Sequence, residues 1–205
     1  MAEASVRVDV WSDFVCPWCY LASTSLEKLE AEEKIELVRH SYELRPNGSP
    51  PMPEEYRKRI IAGRPQLDAL ALERYGIQLK HGPLGVDSRP ALIGAKYAEE
   101  QGVGKAYHDA MFRAYWQDAR AIDQQDVLLD VAESVGLDRE AFAMALETPA
   151  YLHLVLADIT QAQAMGLQGV PAMIFAGKYL VSGAQPYEIL DKVISDVNER
   201  LQVES

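Results

Sequence analysis

Two cysteines, Cys16 and Cys19, are the only thiols in this chain of 205 residues, and just Pro17 and Trp18 separate them. Two sulfurs that close can form and break a disulfide reversibly, with one attacking a partner and the other resolving the mixed disulfide. Their setting suits this. The alternating run Val6-Arg7-Val8-Asp9-Val10 reads as a strand, and Tyr20, Leu21, Ser25, Leu26 and Leu29 follow on a helical spacing. Cys16 is therefore expected at a strand-to-helix junction, its thiol facing the first free N–H groups where the macrodipole favours negative charge. A free thiol has a pKa of about 8.5, and lowering it by about two units takes about 2.7 kcal/mol of differential interaction. Pro17 fixes φ and lacks an N–H that a helix start leaves unpaired anyway. Cys16 is thus read as the nucleophile and Cys19, one turn on, as the resolving thiol.

A second segment, Gly169-Val170-Pro171, is expected to face this pair. Pro171 precedes a short strand, and Gly169 leaves room for close backbone approach. A cis Val170–Pro171 bond is inferred from the architecture; it would cost only about 0.5–1 kcal/mol relative to trans. Asp13, three residues before Cys16, is either a group that tunes the site or a turn residue accepting backbone N–H bonds, and the second reading is favoured. Trp18 either offers an aromatic surface to substrate or packs internally. His40 is read as structural. A structural zinc site needs four ligands, and the four histidines show no partner spacing, so no metal is expected.

The elements that must hold these residues follow a simple order. The first strand, the Cys helix and a second strand, Ile35–Leu44, make a β-α-β unit. Pro46-Asn47-Gly48-Ser49-Pro50-Pro51 then interrupts regular structure. A helical block follows. Pro65 is expected to open a helix that stops before Gly76, Asp123 to cap a helix carrying Val127, Leu128 and Val131, and Asp138 to cap another through Leu146. Thr148-Pro149 reads as the cap and first position of a helix ending near Gly166. Ala172–Phe175 and Lys178–Val181 form a hairpin around Ala176-Gly177, and Pro186 starts a last amphipathic helix. The fold class is α/β: a thioredoxin arrangement, β-α-β … β-β-α, split as residues 1–45 and 166–205 around an inserted helical lid at 46–165. Arg7 and Asp9 fit poorly in a strand that should be buried on both faces.

The formal net charge is −11, with 48% hydrophobic and 25% charged residues. An acidic chain repels phosphate backbones, so no nucleic-acid partner is expected. No apolar stretch approaches a membrane span, and Met1-Ala2-Glu3-Ala4-Ser5 lacks a basic segment leading into an apolar one, so the expected location is cytoplasmic.

The stretch Ser12-Asp13-Phe14-Val15-Cys16-Pro17-Trp18-Cys19-Tyr20-Leu21 resembles the active-site segment of DsbA-like oxidoreductases, and more closely the FrnE-type subgroup of predicted dithiol–disulfide isomerases. Gly169-Val170-Pro171-Ala172 and Val181-Ser182-Gly183-Ala184-Gln185-Pro186 are similar to that subgroup's C-terminal signature. The resemblance implies a thioredoxin fold with a helical insertion, a reversible Cys16–Cys19 disulfide and a cis-proline at Pro171, with Pro17, Trp18 and Val170 supporting the site. It also implies protein or low-molecular-weight disulfides and thiols as substrates, no bound cofactor, glutathione as a candidate co-substrate, and a monomer or homodimer. Ala22 stands where many relatives have glycine, and the second cysteine pair of some FrnE-type proteins is absent. Related kappa-class glutathione transferases and 2-hydroxychromene-2-carboxylate isomerases have serine at the Cys16 position. Glutathione-dependent transfer or isomerisation is therefore the alternative, and a non-catalytic binding module a third reading.

Overall fold

The computed structural model describes residues 5–203. The expectation that the opening Met1-Ala2-Glu3-Ala4 carries no secretion signal lies outside the described residues. The described chain falls into two compact units, one formed by the residues up to Tyr42 together with those from Asp158 onward, the other by Glu43–Ala157.

The first unit is built on a four-stranded sheet of order β2-β1-β3-β4. Strands β1 (Val6–Ser12) and β2 (Ile35–Ser41) are parallel, joined by helix α1 (Pro17–Ala31). Strands β3 (Ala172–Phe175) and β4 (Tyr179–Ser182) form an antiparallel hairpin, with β3 against β1, and helix α8 (Tyr187–Val203) closes the chain. This is the thioredoxin arrangement expected from the sequence. The hairpin closes through the three residues Ala176, Gly177 and Lys178; Ala176 (φ 51°) and Gly177 (φ 69°) are both left-handed, and the Lys178 N–H donates back to the Phe175 carbonyl at 3.0 Å.

Alternation along β1 divides the unit's core. Val6, Val8 and Val10 join Leu26 and Leu29 of α1, Met173 and Phe175 of β3, and Leu190, Ile194 and Val197 of α8. On the other face Trp11 packs with Ala172, Leu167 and Ala162, the last from helix α7 (Pro149–Ala164). Arg7 and Asp9 share this second face and pair with each other at 2.7 Å, with Arg7 exposed. Asp158 and Ala162 sit on the second half of α7, so the chain rejoins the first unit within a helix and not at its end.

The second unit is helical: α2 (Glu54–Tyr75), α3 (Arg89–Glu100), α4 (Gly104–Trp116), α5 (Gln125–Ser134), α6 (Arg139–Leu146) and the first half of α7. Its core holds Ala91, Leu92, Ala95, Tyr107, Met111, Phe112, Leu128, Ala132 and Phe142. Two local expectations are corrected here. Pro65 does not open a helix; it lies inside α2, which begins eleven residues earlier at Glu54. Proline there removes a bond to the Ile61 carbonyl, and Ile61 and Pro65 are both exposed, so water can reach the freed group. Asp123 does not cap α5; Gln124 holds the N-cap position, and Asp123 accepts from the Gln124 side chain instead. Thr148 stands directly before Pro149, the first residue of α7, as expected, and its carbonyl accepts the Tyr151 N–H at 3.3 Å, while its hydroxyl donates back to the Met144 carbonyl at 2.9 Å. Asp138 does cap α6, accepting the Ala141 N–H at 2.8 Å.

Candidate active site

The carboxyl end of β1 runs into a tight turn over Asp13–Cys16. The Asp13 carbonyl accepts the Cys16 N–H at 3.0 Å, and its side chain accepts the Val15 N–H at 3.2 Å. Asp13 is thus the turn residue that its type and position suggested, though completely buried. The turn delivers Cys16 to the N-cap of α1 with extended backbone (φ −91°, ψ 116°), and Pro17 follows at the first helical position. The Cys16 carbonyl accepts from the N–H groups of Cys19 (3.1 Å) and Tyr20 (3.2 Å), starting the helix.

The sulfur itself departs from expectation. It makes no capping hydrogen bond to the N–H groups of α1. The Cys16 thiol instead donates to the Val170 carbonyl at 3.5 Å. The peptide between Val170 and Pro171 is cis, and the Pro171 carbonyl accepts the Gly183 N–H at 2.8 Å, tying this segment to the end of β4. A Cβ at Gly169 would meet nothing within 4 Å, so close approach is not what glycine serves at that position.

Cys16 and Cys19 are both buried free thiols, only 3% and 2% exposed. Burial pushes the Cys19 thiol well above its ordinary range; its hydrogen bond with Cys16 adds to the effect, and a backbone hydrogen bond with Asp13 opposes it. Trp18 alone opens outward, at 42% exposure. Cys16, Cys19, Pro17, Asp13, Val170 and Pro171 therefore share one corner of the sheet, where β1 enters α1 and the chain enters β3. No group of three or more His, Cys, Asp or Glu residues with metal-holding geometry occurs among the described residues.

Behind this corner lies a cluster that sequence reasoning left as a structural histidine. The His40 ring places Nε2 2.9 Å from Asp9 Oδ1 and Nδ1 3.0 Å from Asp158 Oδ1. It stacks on Trp11, with centroids 4.3 Å apart and planes 12° from parallel. Asp158 also accepts the Ser41 N–H (2.8 Å), and its backbone carbonyl accepts the Trp11 indole N–H (3.1 Å). Trp11 belongs to the small core against which Val170 packs. The usable signal in the sequence was Asp9, a charge at an inward position of a central strand; besides Arg7, its partner is His40, 31 residues away.

This chain belongs to the family of DSBA-like thioredoxin domains, which it matches over residues 7–195. Its fold is that of DsbA-like thiol–disulfide oxidoreductases. The structure of a probable DsbA oxidoreductase from Streptomyces coelicolor is similar, with a TM-score of 0.81 and 30% identity over 93% of this chain and 89% of that one. The uncharacterized protein YwbO of Bacillus subtilis is 28% identical over 202 residues, 96% of this chain and 99% of its own length. A 2-hydroxychromene-2-carboxylate isomerase from Pseudomonas putida is 29% identical over 150 residues, 70% of this chain and 72% of the isomerase.

Proposed function

We propose that this protein exchanges disulfides with protein or low-molecular-weight thiol substrates through Cys16 and Cys19. The observation that carries the reading is the placing of a thiol at the start of α1 against the Val170 carbonyl, with a second thiol one helical turn behind it. The Cys16 thiolate attacks one sulfur of the substrate disulfide. A mixed disulfide forms, and the other substrate sulfur leaves as a thiolate that takes up a proton. Cys19 then loses its proton and attacks Cys16 Sγ; the Cys16–Cys19 bond forms and the second substrate thiolate is released. The substrate gains two electrons and the protein loses two. Two molecules of a small thiol such as glutathione, themselves joined into a disulfide, restore the dithiol as co-substrate, and no bound cofactor takes part.

The proposed setting is the cytoplasm. Among the described residues no single helix is long and apolar enough to cross a membrane. A cytoplasmic glutathione pool at about −220 to −320 mV keeps most such pairs reduced, which favours reductase or isomerase action over net oxidation.

Cys16→Ser is expected to abolish reduction of insulin disulfides, followed by the turbidity of the released chains. Wild-type activity in that variant would remove Cys16 from the mechanism. The likeness to an isomerase supports one rival, glutathione-assisted isomerisation of a small aromatic substrate. Cys19→Ala separates the two: it traps mixed disulfides under the first reading and turns over such a substrate under the second.

A further inference from the structure

His40 contacts a carboxylate through each ring nitrogen, Asp9 at 2.9 Å and Asp158 at 3.0 Å. A neutral imidazole has one N–H and one lone pair, so it can donate to only one of them. The second contact would set a lone pair against a carboxylate oxygen. The doubly protonated ring satisfies both at once. All three side chains are largely buried, with 12% to 14% of their surface exposed, so solvent screens the arrangement weakly.

The ring is also a mechanical part. It lies flat on Trp11, whose indole N–H is held by the Asp158 carbonyl. Asp158 thereby ties α7 to β1 through Trp11, and to β2 through His40 and the Ser41 N–H. The Trp11 core is the surface on which Val170 rests, and the Val170 carbonyl is the group that meets Cys16 Sγ. An unbroken run of contacts leads from the imidazole to the sulfur.

We propose that His40, carrying both ring protons between Asp9 and Asp158, is a positioning residue for the redox site, and that its deprotonation loosens the Val170 carbonyl from Cys16. The charged groups facing the ring are Asp9 on β1, both of whose oxygens also accept from the Arg7 guanidinium, and Asp158 on α7. When His40 loses a proton, two carboxylates remain and one contact turns repulsive. The clamp on Trp11 relaxes, and the carbonyl covers the thiol less closely.

The inference rests on Cys16 being the reacting sulfur of the proposed exchange, so its test uses a reaction that needs only a reachable thiolate. Iodoacetamide alkylation is followed against pH in Cys19→Ala, where Cys16 is the single thiol, and again with His40→Gln added. The His40 protein should show two inflections, one from the thiol and one from the imidazole. The His40→Gln protein should show one, and should alkylate faster at neutral pH by about threefold or more. Superimposable profiles would overturn the proposal. Should His40→Gln fail to fold, imidazole nitrogen resonances of the unaltered protein decide: two N–H groups at neutral pH are expected, and a neutral ring there overturns it. Loss of the insulin result for Cys16→Ser would sink the exchange reading while leaving these profiles interpretable.

Discussion

His40 and Asp9 titrate in opposite senses, and stability should record both. Burial works against the His40 charge, but the Asp158 and Asp9 carboxylates outweigh it and raise the pKa above the ordinary value of about 6.5. Its contribution is complete below that ordinary value and is lost as pH rises through the higher folded value. The Arg7 guanidinium holds the Asp9 carboxyl below the usual range, helped by His40 and opposed by burial. That contribution is present above the ordinary carboxylate value of about 3.9 and is lost as pH falls through the lower folded one. The network is therefore strongest between these limits. Thermal unfolding across pH should show a decline on the alkaline side that His40→Gln flattens; an unchanged decline would mean that His40 does not titrate there. At this scale the sequence was uneven. Cys16, Cys19 and the Val170–Pro171 segment announced themselves by type and spacing. Asp9 was visible as an oddity, but Asp158 reads as one more acid on a long helix, because nothing local marks a partner 118 residues away.

The helices of the second unit pack through small residues as well as large ones. Gly94 of α3 is buried, and a methyl group there would run into the Tyr107 hydroxyl and the Phe142 ring. Tyr107 is fixed by its bond to the Ala91 carbonyl at 3.3 Å, so it cannot simply swing away. Gly94→Ala should gain helix propensity and still lose stability, by about 1–3 kcal/mol of overpacking, seen as a lower urea midpoint. Equal or greater stability would show that α4 and α6 can shift. Caps and breakers were the least legible features. Asp138 and Asp123 both sit before apolar helical runs, and only Asp138 has an N–H three residues on within reach. Pro65 reads as a helix start because proline usually ends what precedes it; an exposed helix can carry it where the orphaned carbonyl faces water.

The order of strands and helices survives from sequence to fold because the start of β1 keeps its two-residue period and Ala176-Gly177 supplies the left-handed backbone at the terminal hairpin. Charge acts on the whole molecule in a different way. A net charge of −11 sets up a field that hinders anionic reactants and draws in cationic ones. Exchange with glutathione disulfide should therefore speed up as salt is raised, and exchange with cystamine should slow. The span from about 0.01 M to 1 M contracts the Debye length from about 30 to 3 Å, enough to erase the difference. Rates that ignore salt would mean that local groups at the site govern encounter.

Trp18 gives the molecule an optical property. Trp11 and Trp116 are sealed from solvent at 1% and 5% exposure, whereas Trp18 stands in water directly beside Cys19 in the chain. A disulfide drains the excited state of a neighbouring indole, so the S–S bond of the proposed exchange is expected to dim the outermost of three chromophores. Under that reading the protein would carry its own luminescent gauge of whether the sulfurs are joined.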